Sequence, residues 1–312
     1  MSKVKISVVL PAYNEGKYLK RCLESLISQD YRGNYEIIIV DSNSKDQTAK
    51  IAKSFGIKVV SAPRISPAVA RQTGFAASTG EIIATIDADN QAPTDWLSKI
   101  SKEFEDKKTV CLFGAIDPLE GKFLDKILLF FYNLGNWASL KTLGFTALTG
   151  TNQAIRREIF TSIGGLEPVK LPATHADIFD QEFLFDRLRK LGKIRFSPKV
   201  RIKFSMRRFH QNGYLATILW GARQWLALHV WSGFGFSRLK PLKFSKIAAV
   251  GVIIVTFGMA SALIANVSFN TAQAEFSPRT LREKISKQVA IIKVKTEPWL
   301  ERLENFQVDF LR

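Results

Sequence analysis

Cysteine is scarce, with two in 312 residues, and two cannot build a disulfide framework. Cys22 falls in a helical pattern and Cys111 in an apolar strand pattern. No Gly-x-Gly-x-x-Gly and no Gly-Lys-Ser/Thr follows the first apolar run, Ile6–Leu10. That excludes the glycine-rich phosphate loops of dinucleotide-binding and P-loop folds. Met1-Ser-Lys-Val-Lys has no signal-peptide character, because the first apolar run is already a strand. Acid is missing from residues 187–246, which hold fifteen Lys/Arg and no Asp or Glu, and charge of either sign is missing from 247–274. The net charge of +17 is therefore local, since residues 1–186 carry 22 basic and 22 acidic side chains.

What is present is a repeated strand-then-helix pattern. Ile6-Ser7-Val8-Val9-Leu10 runs into Pro11-Ala12-Tyr13-Asn14-Glu15, and Ile37–Val40 runs into Asp41-Ser42-Asn43-Ser44-Lys45-Asp46-Gln47-Thr48. Helical periodicity follows each, through Leu19, Leu23, Leu26 and Ile27, then through Ile51, Ala52 and Phe55, with Ser44 or Asp46 as the N-cap of the second helix. Alternation of this kind predicts an α/β fold with a parallel sheet, whose polar strand ends open on one crevice. A third apolar run, Glu81–Ile86, ends in Asp87-Ala88-Asp89. Two carboxylates one residue apart at a strand's C-terminal end are hard oxygen ligands suited to Mg²⁺ or Mn²⁺ carrying substrate phosphates.

These motifs resemble, in order and spacing, those of family 2 glycosyltransferases. The resemblance rests on Pro11–Glu15, Val40–Thr48, Ala70-Arg71-Gln72-Thr73-Gly74 and Asp87–Asp89. It continues through Thr149-Gly150-Thr151-Asn152, Arg156-Arg157, Gly164-Gly165 and Arg187–Gly192, and spans about residues 4–215. Ser205-Met206-Arg207-Arg208-Phe209 looks like a motif of one membrane-anchored branch. The resemblance implies a GT-A fold and inverting, metal-dependent transfer from a nucleotide sugar, a UDP- or GDP-sugar. It places Pro11, Tyr13, Glu15 and Asp41 around the nucleoside, with Asp41 facing the base, and Arg71 reaching toward the nucleotide. Asp89 would hold the divalent cation, with Asp87 aiding through the nucleotide or a water, to neutralise the departing diphosphate.

Inversion needs a base for the acceptor hydroxyl. Relatives supply an Asp from a Glu-Asp pair, where this chain has Phe179-Asp180-Gln181-Glu182. Ungapped register puts Gln181 at that position, and Gln cannot take a proton, so the base falls to Asp180 with Glu182 in reserve. Gln181 is also the one feature favouring the alternative, a catalytically degenerate homologue that binds sugar nucleotide as a partner or scaffold. Arg207 and Arg208 have the chemistry to clamp a diphosphate, and His210 that to complete the metal site. Processive relatives carry Gln-x-x-Arg-Trp. Only Arg223-Gln224-Trp225 stands here, and with one expected span this predicts transfer of a single sugar.

Ile247–Val267 is a predominantly apolar run of 21 residues. As a helix it would reach roughly 31 Å, enough for a hydrocarbon core of about 30 Å. Lys240, Lys243 and Lys246 precede it and orient the N-terminal domain to the cytosol. Trp220, Trp225, Trp231, Phe234 and Phe236 interleave with the basic residues before the span, as in a segment lying on an anionic membrane surface. Nucleic acid is set aside as a partner, because the adjoining span accounts for the same residues. The expected organisation is a GT-A domain over 1–211, an interface segment over 212–246, a transmembrane helix over 247–267 and a tail over 268–312. A lipid-linked or other membrane-proximal acceptor would follow. A second apolar helical stripe, over 122–143, reads as core, as membrane contact or as a flank of the acceptor site.

Overall fold

The computed structural model describes residues 4–64, 66–142, 150–165 and 187–218. In chain order they form β1 (Ile6–Ala12), α1 (Gly16–Ile27), β2 (Tyr35–Asp41), α2 (Thr48–Ser54), β3 (Lys58–Ser61), α3 (Pro67–Ala76) and β4 (Ile82–Thr85). There follow α4 (Trp96–Glu103), β5 (Thr109–Pro118), α5 (Phe123–Thr142), β6 (Gln153–Arg156), α6 (Arg157–Ser162), β7 (Lys193–Phe204) and α7 (Arg207–Asn212). The strands make one sheet in the order β3-β2-β1-β4-β6-β5-β7. β1 is parallel to both β2 and β4, β2 to β3, and β5 to β7. Among these strands β6 alone is reversed, antiparallel to β4 on one side and β5 on the other.

The apolar runs form strands because helices cover both faces of the sheet, so successive side chains are buried whichever way they point. All four residues of β4 are buried, as are the first five of β1. Helix α1 buries Leu19, Cys22, Leu23 and Leu26, while Ile27, expected on that face, is 48% exposed because it closes the last turn. Ser66 starts α3 by accepting from the Val69 N–H at 3.3 Å, with Pro67 in the first helical position. Gly74 then lets α3 approach the sheet, for a Cβ there would lie 2.3 Å from Val9 Cγ1.

Asp46 does more than the expected capping. The N-cap of α2 is Gln47, without a side-chain bond. Asp46 instead accepts the Thr48 N–H at 2.9 Å on one oxygen and the Gly16 N–H at 2.9 Å on the other. One carboxylate so satisfies an orphan donor at the start of α1 and another at the start of α2, and locks the loops after β1 and β2 together. Burial raises its pKa, but the Thr48 hydroxyl and these amides outweigh that and hold it below the usual carboxylate value.

Strand order reverses between β1 and β4, so the crevice above their C-terminal ends is a topological switch point, where open α/β sheets bind ligands. Asn152, just before β6, braces the far wall of this crevice. Its backbone is left-handed at φ 52°. Its Oδ1 accepts from Trp96 Nε1 at 2.8 Å, and its Nδ2 donates to the carbonyls of Ala115 at 2.7 Å and Val200 at 3.1 Å. Asn152→Ala removes all three of these bonds and puts a residue less tolerant of left-handed backbone in its place. The expected cost is about 3–5 kcal/mol. Asn152→Gly loses the same bonds without the backbone penalty, so denaturation midpoints should place it about 1 kcal/mol above Ala.

Asp180 and Glu182, residues 219–246, the span expected over 247–267 and the tail over 268–312 lie outside the described residues. Among the described residues no helix is long and apolar enough to cross a membrane.

Candidate functional site

Three adjacent strand ends deliver the expected residues to one place. β1 brings Pro11 and leads to Tyr13 and Glu15, β2 ends on Asp41, and β4 leads to Asp87 and Asp89. The loop after β1 is pinned to the loop after β2 by Asn14 N–H to Ser44 Oγ at 2.9 Å, Lys45 N–H to Asn14 Oδ1 at 2.8 Å and Glu15 N–H to Thr48 Oγ1 at 2.9 Å. Asn14 and Asn43 adopt left-handed backbone at these turns, which Asn tolerates better than other non-glycine residues. Asp41 accepts from the Ser44 N–H at 3.2 Å. The Arg64 guanidinium lies 3.9 Å from the centroid of the Tyr13 ring, a cation–π contact that fixes one wall of the pocket.

Asp87 and Asp89 are partly buried at the floor. Burial, with the neighbouring Asp89 charge, pushes the Asp87 carboxyl up to about 6, against the pull of Arg71. Burial also raises Asp89, opposed by Arg207. Burial raises Glu15 likewise, although Arg207 bonds it directly, and its Oε2 is buried with no hydrogen-bond partner among the described residues. Arg71 itself is 5% exposed and lies against Gly150, where a Cβ would fall 2.5 Å from Arg71 Cζ. A side chain at position 150 would have to displace that guanidinium.

Arg207 closes this cluster. Its Nη2 donates to Glu15 Oε1, its Nε lies 2.9 Å from Asp89 Oδ2, and its guanidinium sits 4.7 Å from the Tyr18 ring centroid. The segment that carries it is fastened from below. Asn90, fully buried, donates to Thr151 Oγ1 at 3.0 Å and accepts from the Ser205 N–H at 2.9 Å. Glu120 accepts from the Met206 N–H at 2.8 Å. Arg208, expected to pair with Arg207 as a clamp, is exposed, though near enough to favour the Asp89 charge.

His210 takes a different place from the metal-ligand role expected of it. Its Nε2 stands 3.1 Å from both oxygens of Asp125, which is fully buried in the first turn of α5 and also accepts from Tyr214 Oη at 2.7 Å. The site thus brings together Pro11, Tyr13, Glu15, Asp41, Arg71, Asp87, Asp89 and Arg207, while His210 fastens α7 to α5. Tyr18, Arg64, Asn90 and Thr151 are added by the structure. Of these, Tyr18 has a signal in the sequence, as it stands three residues after Glu15 and so on the same helical face.

Asp87 and Asp89 are the residues fit to hold a divalent cation. Three carboxylates with raised pKa, one with an oxygen left without a partner, are short of positive charge. Among the described residues no group of three His, Cys, Asp or Glu forms a closed metal cage.

Comparison with known proteins agrees with this architecture. The family described as Glycosyl transferase family 2 matches residues 7–164. Glycosyltransferase GlyA of Streptococcus pneumoniae serotype 4 is 30% identical over 132 residues, which are 40% of this chain and 19% of that protein. Glycosyltransferase AglE of Haloferax volcanii is 33% identical over 101 residues, 30% of this chain and 33% of that protein. The chain therefore spans only a fifth to a third of the length of these relatives. Among solved structures, the mannosyltransferase PcManGT from Pyrobaculum calidifontis, in complex with GDP-Man and Mn²⁺, superposes with a TM-score of 0.61 at 20% identity, covering 96% of this chain and 84% of that one. TarS 1-349 of S. aureus, in complex with UDP-GlcNAc, superposes with a TM-score of 0.54 at 19% identity over 81% of each chain. At these identities the likeness is one of fold, the GT-A type of α/β sheet flanked by helices.

Proposed function

Because the chain belongs to glycosyl transferase family 2, we propose that it transfers a single sugar, with inversion, from a nucleoside-diphosphate donor to a lipid-linked or membrane-proximal acceptor. The observation that carries this reading is the pair Asp87 and Asp89 at the β1/β4 switch point, under-compensated, with Asp89 joined to Glu15 through Arg207. PcManGT was solved with GDP-Man and Mn²⁺, and TarS with UDP-GlcNAc, so the same fold receives both nucleotide classes. The anchor is the apolar run 247–267, with the catalytic domain on the cytosolic side of the cell membrane.

The residues divide the work by their chemistry. The pinned loops carrying Tyr13, Glu15 and Asp41 shape a nucleoside pocket, with Asp41 offering acceptor oxygens to a base edge. Asp87 and Asp89 would hold Mg²⁺ or Mn²⁺, which would supply positive charge beside the leaving diphosphate. Arg207, already aimed into the crevice, and Arg71 beneath Gly150 add fixed positive charge beside the phosphates. Asp180, with Glu182 in reserve, takes the proton of the acceptor hydroxyl.

The deciding experiment measures nucleotide release by the detergent-purified full chain from UDP- and GDP-sugars, with Mn²⁺ or EDTA, and with or without cell lipid extract. The expected result is metal-dependent, lipid-stimulated release from one donor. Donor binding without release from any donor would overturn transfer and leave the sugar-nucleotide-binding homologue.

A further inference from the structure

Helix α5 is apolar on two faces, burying Leu128 and Leu129 on one and exposing a second stripe on the other. Its outward residues are Phe123, Lys126, Phe130, Leu134, Trp137 and Lys141, spaced by three or four and so forming one continuous stripe. Phe123 is 75% exposed, Phe130 62%, Leu134 43% and Trp137 41%. The polar side chains point the other way. Asp125, Asn136 and Ser139 are buried, and Asn133 exchanges two hydrogen bonds with the backbone of Ile116 in β5, at 3.0 and 2.8 Å. An ordinary surface helix shows a polar face to solvent. Here the inner face buries Leu128 and Leu129 beside the polar groups, with Asn133 fastening the helix to β5, and a second, largely apolar stripe faces outward along roughly 27 Å of helix.

We propose that α5 lies in the plane of an anionic lipid surface. Phe123, Phe130, Leu134 and Trp137 enter the boundary between head groups and acyl chains, and Lys122, Lys126 and Lys141 meet lipid phosphates. This rests on the membrane-proximal reading above and gives it a contact face in the catalytic domain itself. Charge selects the occupant. The only acid between residues 121 and 142 is Asp125, which is fully buried, and the exposed Glu120 just before is held by the Met206 N–H, so each charge α5 itself offers outward is a lysine. A second copy of the chain would set lysine against lysine at both ends of the stripe. Aromatic and basic residues together on one helical face are what an interfacial helix requires, and Lys141 Nζ already rests 4.3 Å from the Trp137 ring centroid.

Chain continuity points the same way. Tyr214 Oη bonds Asp125, so the helical turn at residues 214–218 lies beside the start of α5, and its Leu215 is 49% exposed. From there the chain enters the remaining part of the acid-free, Trp-rich segment that ends at residue 246.

The test places nitroxide labels on the full chain by Phe130→Cys and Trp137→Cys, with Glu24→Cys on α1 as the aqueous control. Both native cysteines are fully buried and stay unlabelled. Protein is reconstituted into vesicles of phosphatidylglycerol and phosphatidylethanolamine, or of phosphatidylcholine alone. On the anionic vesicles, labels at 130 and 137 should lose accessibility to a water-soluble nickel relaxant and gain accessibility to oxygen, while the label at 24 stays in water. Labels that remain water-accessible on a chain that floats with the vesicles would overturn the α5 contact and leave membrane attachment standing. A chain that does not float would remove both. Protection without lipid, with short distances between labels of different copies, would overturn the proposal in favour of self-association. Equal protection on phosphatidylcholine would remove the lysine part of it.

Discussion

Asp87→Asn is expected to lower sugar transfer roughly a thousand-fold, equivalent to about 4 kcal/mol, while making the ligand-free protein more stable. The two effects share a cause. The Asp87 carboxyl is carried from an ordinary value of 3.8 up to about 6, first by burial and then by the Asp89 charge beside it. Between those two values the folded protein binds more protons than the unfolded one, so stability falls as pH rises through that window. Above it the fold carries the full penalty of an ionised Asp87, about 3 kcal/mol at most. Asparagine keeps the shape and removes the charge. With chelator present, wild-type melting temperature should fall from pH 4 to pH 7, and Asp87→Asn should be flatter and, at pH 7, a few degrees higher. Adding Mn²⁺ with the accepted nucleotide sugar should raise the wild-type value and leave the variant unmoved. A variant that melts no higher than wild type at pH 7 in chelator would refute the electrostatic account, whatever its activity.

Much of this site is legible in the amino-acid sequence, for a physical reason. β1, β2 and β4 are covered on both faces, so their apolar runs are continuous and end abruptly in polar residues, and the strand ends are where ligand chemistry sits. Reversed β6 is not legible in the same way. It is four residues long and its last, Arg156, looks like a loop residue. Its guanidinium in fact donates to the carbonyls of Thr109 at 2.8 Å and Phe104 at 2.7 Å. The period of α5 is evident, but not which way it faces. Asp125, Asn133 and Asn136 have the character of solvent residues, and it is the fold that gives the first two Ile116, His210 and Tyr214 as partners. His210 misleads for a related reason. A solitary imidazole near arginines and a carboxylate pair suggests a ligand, and the partner that claims it lies 85 positions away, with no local spacing to announce it.

Distant partners also conceal what Arg207 does before substrate arrives. Its sequence position suggests a phosphate clamp, yet the guanidinium already spans Glu15, 192 residues earlier, and Asp89. Both partners are mostly buried, with side chains about 14% exposed, and burial raises the pKa of each. Arg207 is thus the positive charge that opposes the burial of Asp89 and Glu15, and it occupies the same carboxylate a cation needs. Arg207→Met keeps much of the packing over Tyr18 but removes that charge. The ligand-free fold should lose about 1–3 kcal/mol, less than for a fully buried pair because Arg207 is partly exposed. Mn²⁺ binding without nucleotide should tighten about ten-fold, or 1.4 kcal/mol, since Asp89 no longer has a competing partner. Turnover should nevertheless fall about a hundred-fold, because the diphosphate loses a charge-assisted donor. Arg207→Lys should not restore it, as an ammonium is a point charge without a planar fork to span two carboxylates. Calorimetric titration of Mn²⁺ into both variants separates this account from simple loss of a phosphate contact. Unchanged or weaker metal binding in Arg207→Met would show that Arg207 does not hold Asp89 against the cation.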